Sequence, residues 1–242
     1  MLAMTLSGTA VAERGTAAHR VAARRVGWVI MTVFALAVGG YAVALVASGF
    51  RLVPDEIAAN RFPTPLGLRV HVVASGVALL VGPFQFARAL RTRLPRLHRW
   101  LGRTYLVACL AGGMSGGAIA LFSANGLAAG AGFLGLAVCW LGATAIGFDA
   151  IRTGDVARHR RWMVRSFALT YAAVMLRIYL PTATGVGFEF NQAYPVIAWL
   201  CWLPNLLVAQ LIIGRRSAGP PARSVPSHEE PVQAVEISGG SA

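Results

Sequence analysis

Lysine is missing from this chain altogether, and acids are scarce: 9 Asp and Glu stand against 22 basic residues, every one of them arginine. Charged residues make up only 13% of the 242, where a soluble domain carries about 25%. With 56% hydrophobic residues, that shortage excludes a water-soluble enzyme and a chain disordered throughout. Only three cysteines occur, Cys109, Cys139 and Cys201, far apart in sequence. That excludes a disulfide-built scaffold and a zinc motif, and the three read as buried apolar thiols. Also missing are a Walker-type phosphate loop, an HExxH helix, a serine nucleophile with its base, and a paired-carboxylate site. No catalytic residue is assigned.

What is present is apolar length. A spanning helix needs about 20 mostly apolar residues, and six stretches qualify: 26–50, 70–89, 101–122, 127–148, 162–180 and 196–213. The expected fold is all-α, an integral membrane bundle of six transmembrane helices over residues 26–213. The flanking segments, 1–25 and 214–242, are rich in Ala, Ser, Gly, Pro and charge and read as disordered cytoplasmic tails. His19 and His228 fall there and are set aside. The first span is too long for a signal peptide and lacks a small-residue cleavage site.

Arginine position sets the expected orientation. Eighteen of the 22 arginines precede span one, follow span six, or lie between spans two and three or four and five. The opposite loops hold Arg51, Arg61 and Arg69. Both termini are therefore expected in the cytoplasm of a bacterium, with the protein in its inner membrane. Trp28, Trp100 and Trp162 follow the basic clusters as an interfacial belt would. The pI near 11.4 reads as this orientation signal and as contact with anionic lipid heads, which leaves no role for nucleic acid.

The two large basic loops echo each other. Ala89-Leu90-Arg91-Thr92 runs to His98-Arg99, and Ala150-Ile151-Arg152-Thr153 runs to His159-Arg160, every matched position offset by 61. This is a candidate two-helix internal repeat, with its pseudo-axis along the membrane normal. Two loops obeying one charge rule would give a similar match. In the fifth span His159, Met163, Ser166, Thr170, Ala173 and Arg177 share one helical face. In the second, His71, Ser75, Ala78, Gly82 and Gln85 do the same; in the third, His98, Gly102, Tyr105, Cys109 and Gly112. Arg177 either faces the interior or snorkels past the nearby Pro181 to the interface. Glu189 is its candidate ion-pair partner; Asp149 and Asp155 are expected to bond Arg152 or cap the next turn. The run Gly112–Gly117 holds two small-xxx-small pairs, which admit a close neighbouring helix or, equally, a flat macrocycle.

The segments His98-Arg99-Trp100-Leu101-Gly102-Arg103 and His159-Arg160-Arg161-Trp162-Met163-Val164-Arg165-Ser166 resemble those of a bacterial family of predicted multi-pass membrane proteins of unknown function. The resemblance runs over about 69–181 and includes His71, Gly82-Pro83-Phe84-Gln85 and the stretch from Met175 to Pro181. It implies the fold and no activity. A weaker similarity is to transmembrane b-type cytochromes, which carry a histidine in a context like His98 to Gly102. That similarity implies haem b and electron transfer, with quinol or a redox protein as partner. His98 and His159 are then the iron ligands and Arg103 and Arg165 the propionate partners. Two haems would need four buried histidines, and with His19 and His228 in the tails only His71, His98 and His159 are available. The rival class is non-redox: a small-solute or proton path lined by His71, Gln85, Ser166, Thr170 and Arg177, or a lipid-interacting assembly scaffold. Mid-span residues are mostly Ala, Gly, Leu and Val, which argues against active transport.

Overall fold

A computed structural model of the chain describes residues 2–52 and 65–217. Among them lie α1 (Leu2–Ala47), α2 (Pro65–Gln85), α3 (Arg88–Arg93), α4 (Pro95–Leu121), α5 (Gly126–Arg152), α6 (Val156–Thr170), α7 (Ala172–Gly185), α8 (Phe190–Leu200) and α9 (Leu203–Ser217). Six spans among the described residues are long and apolar enough to cross a membrane: Val21–Ala47, Leu66–Gln85, Pro95–Leu121, Gly126–Arg152, Val156–Gly185 and Phe190–Arg215. α1 begins at Leu2 and so takes in the stretch read from composition as a tail. Arg61, Arg223 and the carboxy-terminal tail after Ser217 lie outside the described residues.

Hydrophobicity is turned outward, as expected when the solvent is hydrocarbon. Val33, Val107, Leu127, Leu207 and Leu211 are exposed, while Tyr105, Thr144, Ser166 and Thr170 are buried. The bundle builds on α2 against α4, α5 against both α4 and α6, and α1 along α2; α8 closes on α5 and α7. All three thiols are free; Cys109 and Cys201 are buried, but Cys139 is exposed on the lipid side of α5, so the expectation of three buried thiols fails there.

Two spans differ from their expected form. The fifth runs past Pro181 to Gly185, because a proline removes one N–H bond without ending a helix whose neighbours hold it. It is also interrupted at Tyr171, between α6 and α7. There Thr170 Oγ1 donates to Ser166 O at 3.0 Å, a back-bond of the kind that bends helices. The sixth is interrupted at Cys201 and Trp202, where Pro204 leaves the carbonyl four residues earlier, on Leu200, without its N–H donor. The third and fifth spans also start earlier than expected, so His98 and His159 lie inside helices.

The ends are closed locally. Arg91 Nη1 donates to the carbonyls of Gln85 at 3.1 Å and Phe86 at 2.9 Å, covering acceptors that the end of α2 leaves open. Trp28 Nε1 donates to Pro83 O at 3.2 Å, tying α1 to the same turn. Asp155 caps α6 by accepting from Arg158 N at 2.8 Å. Asp149 pairs with Arg158 at 3.5 Å, while Arg152 lies over Phe148.

One glycine is required by contact. A Cβ on Gly82 would collide with the ring of Phe167 and come within 3.2 Å of Tyr105. Phe167 is itself held edge-on to Phe86 at 5.3 Å and cannot retreat freely. Gly82→Ala gains about 1 kcal/mol of helix propensity but adds about 1–3 kcal/mol of overpacking. A net loss of up to about 2 kcal/mol is expected in detergent unfolding.

Candidate functional site

Three polar features share the bundle interior. The first is a buried cluster of hydroxyls at mid-bundle. Tyr105 Oη on α4 shares hydrogen bonds with Ser166 Oγ at 3.1 Å and Thr170 Oγ1 at 2.8 Å on α6. Thr144 Oγ1 on α5 reaches Ser166 Oγ at 2.8 Å. Each hydroxyl can both give and accept, so the cluster is satisfied without charge. Tyr105 and Ser166 are 61 positions apart, the offset of the loop echo.

The second is a cavity of about 530 Å³ at the end of the bundle opposite the arginine clusters. Its walls are mostly apolar; the polar exceptions include His71, Ser75, Trp140, Thr170, Arg177 and Tyr194. His71 is seated on the glycines of α4: a Cβ on Gly116 would fall 2.8 Å from its ring. Its Nδ1 donates to Gly112 O at 2.9 Å, since a carbonyl can only accept; that leaves Nε2 for another partner. Arg177 donates from Nη1 to Ala173 O at 3.0 Å, and its guanidinium lies 5.3 Å from the centre of the Tyr41 ring. Arg177 sits two turns before the end of α7, facing inward, and the snorkelling alternative falls with the longer helix. Among the described residues the one ion pair is Arg158–Asp149; Glu189 does not pair with Arg177. Ser75 Oγ and Trp140 Nε1 are buried without hydrogen-bond partners. Trp140 is 5% exposed.

The third lies at the arginine-rich end. His98 on α4 and His159 on α6 are within electrostatic reach of each other, with Arg91 and Arg99 also acting on His98. His159 Nδ1 donates to Gly147 O at 2.7 Å, which leaves its Nε2 unengaged. His98 Nδ1 and Gln85 Nε2 are buried without partners. Arg103, expected beside them, is exposed with its guanidinium over Trp100 at 5.3 Å. Arg165 lies over Trp162 at 4.4 Å and donates from Nη2 to Gln210 Oε1 at 2.9 Å. Tested as a haem b site, this end offers two imidazoles with free nitrogens, while both arginines read as propionate partners are engaged elsewhere. None of the described residues forms a group of three or more metal-ligating side chains.

The structure thus brings Ser166 and Thr170 into one network, His71 and Arg177 into one cavity, and His98 and His159 to one end. The glycine run serves packing: Gly112 faces Ser75 and Trp140, Gly113 faces Leu141 and Gly117 faces Ala137. Sequence reasoning missed Thr144, Trp140, Tyr41 and Tyr194. Thr144 alone carried a signal, as the single hydroxyl in an Ala- and Gly-rich stretch of α5.

No curated protein and no solved structure matches the chain. One family does, over residues 68–213, which takes in spans two to six, the cavity's glycine wall and both histidines of the arginine-rich end. On that match the chain, a multi-pass membrane protein, belongs to the family described as "Predicted membrane protein (DUF2306)".

Proposed function

We propose that the protein is a non-redox conduit, a proton or small-solute path through the bundle. The observation that carries this reading is that Thr170 belongs both to the cavity wall and to the hydroxyl network. Polar groups therefore continue from the cavity to mid-bundle, and past it toward His159 on the same helical face. One further feature supports it: the two interrupted spans, five and six, both contribute to the cavity wall, and interrupted helices are tolerated where they border a cavity. Ser166 and His159 are separated by two turns, about 10 Å, so conduction requires that interval to hydrate. The flux belongs to a slow relay and not to an open pore. The arginine-rich end is taken as cytoplasmic, in contact with anionic lipid heads of a bacterial inner membrane, and reporter fusions to the loops at residues 94 and 154 test that orientation.

The test is proton entry into vesicles that contain a pH-sensitive dye and carry the purified protein. Entry faster than in protein-free vesicles is expected, and Tyr105→Phe and Thr170→Val should each slow it about tenfold, the rate equivalent of one lost hydrogen bond. Equal rates with and without protein would refute the conduit.

A second reading, a single haem b carrying electrons between quinol and a partner protein, is favoured by the free nitrogens of His98 and His159. Bound haem would supply one-electron chemistry, with the two imidazoles holding iron and Gly147 O fixing the His159 ring. Purification with haem supplied should then give a Soret band that His98→Ala and His159→Ala abolish and His71→Ala spares. No band in either redox state removes this reading.

A further inference from the structure

The cavity has donors to spare and no acid. Arg177 makes one hydrogen bond, to Ala173 O, and rests on an aromatic ring. A guanidinium carries five N–H donors, so most of its capacity is unspent. Trp140 Nε1, a donor only, and Ser75 Oγ are buried beside the same space without partners. A positive charge inside a hydrocarbon-embedded bundle, with orphan donors nearby, is costly unless something negative joins it.

We propose that this cavity binds a single-tailed amphipathic molecule with a carboxylate head. Its head pairs with Arg177 and takes further hydrogen bonds from the donors around it. The planar guanidinium fork matches a planar carboxylate with two parallel bonds. One cation meets one negative charge, which selects a carboxylate over a doubly charged phosphate. The tail lies along the apolar walls from Leu45, Val72, Leu136 and Leu176. The volume, about 530 Å³, is within the range of about 300–1,000 Å³ that holds one small ligand. His71, whose Nε2 is left open by the bond from Nδ1 to Gly112 O, lines the same cavity and offers the head a further polar contact. This names the ligand class of the cavity from which the proposed path starts, and binding stands whether or not protons cross.

The test is native mass spectrometry of the detergent-solubilised full chain with dodecanoate, dodecanol or dodecyl phosphate. A one-to-one dodecanoate adduct is expected, with dodecanol and dodecyl phosphate both weaker. Arg177→Met should weaken dodecanoate binding about 10- to 100-fold, the equivalent of one or two charge-assisted hydrogen bonds, and Arg177→Lys should weaken it less. Val72→Trp, which fills the space while leaving Arg177 in place, should also abolish the adduct. Glu189→Ala should leave it unchanged. Dodecanol bound as well as dodecanoate, tighter binding of dodecyl phosphate, or full binding by a folded Arg177→Met would each overturn the assignment. Binding without proton flux would sink the conduit and leave this proposal standing; flux without binding would do the reverse.

Discussion

Truncation of Phe167 to alanine is expected to destabilise the bundle by about 3–5 kcal/mol, among the largest effects available to one substitution here. Its ring is 4% exposed and lies where α2, α4 and α6 converge, edge-on to Phe86 at 5.3 Å and 6.2 Å from Tyr171. In lipid the loss is mainly of packing contacts, because hydrocarbon is nearly as favourable a surrounding for the ring as the core. The sharper form of the prediction concerns Gly82. In the wild type an added methyl there meets the Phe167 ring; with the ring gone, the methyl enters the vacated space and keeps its helix-propensity gain of about 1 kcal/mol. Gly82→Ala should therefore change sign, destabilising the parent and stabilising Phe167→Ala. Unfolding of the four proteins of this cycle in detergent measures the coupling. Additive effects would show that Gly82 is not a contact requirement.

Arg177→Met should cost the ligand-free protein little or no stability, although it removes a buried side chain with two contacts, because the magnitudes nearly cancel. A cation within a membrane span costs about 2.5–3.5 kcal/mol. Against this, a desolvated cation–π contact such as that with Tyr41 returns about 2 kcal/mol at most, and one hydrogen bond about 1 kcal/mol at its donor. The removed side chain is replaced by one of similar length that borders the same apolar walls without a charge to solvate. The opposing terms cancel to within about 1 kcal/mol, so the unfolding midpoint of delipidated protein should stay within a few degrees of the parent's. A buried charge that adds nothing to stability while it lines a cavity is retained for what it binds. Destabilisation on replacement would mean that the guanidinium is already compensated in the resting protein.

Much of this architecture is legible in the sequence, for reasons that particular residues show. The six apolar runs must be helices in hydrocarbon, and their inward faces follow from period and cost: Ser166, Thr170 and Arg177 share a stripe because α6 and α7 turn every 3.6 residues. Arg177 on that stripe has nowhere cheaper to point. Boundaries were harder to read. Pro181 looks like a terminator, yet the helix passes through it, and the starts at Pro95 and Val156 lie in basic, amphipathic stretches that no hydropathy count includes. The hydroxyl cluster was half legible. Ser166 and Thr170 announce themselves by spacing, but that Tyr105 and Thr144 meet them depends on how three helices cross, which no single-helix period encodes. The cavity was not legible, because empty space is a property of how side chains fail to meet. Arg103 and Arg165 show why nearness to a histidine in sequence does not fix direction: they follow His98 and His159 by five and six residues, spacings that leave the histidine's helical face, and each guanidinium lies over a tryptophan.

The interruptions of spans five and six are stitched together by one side chain. Asn205 Nδ2 donates to Cys201 O at 2.9 Å, within its own span, and to Ala168 O at 3.3 Å, just before the other break. The two elbows are thus riveted on one side, between α6 and α9, while α7 and α8 pack on each other beyond them. Parting α6 from α9 at the elbows would tear an amide from a carbonyl in a medium that offers no substitute donor.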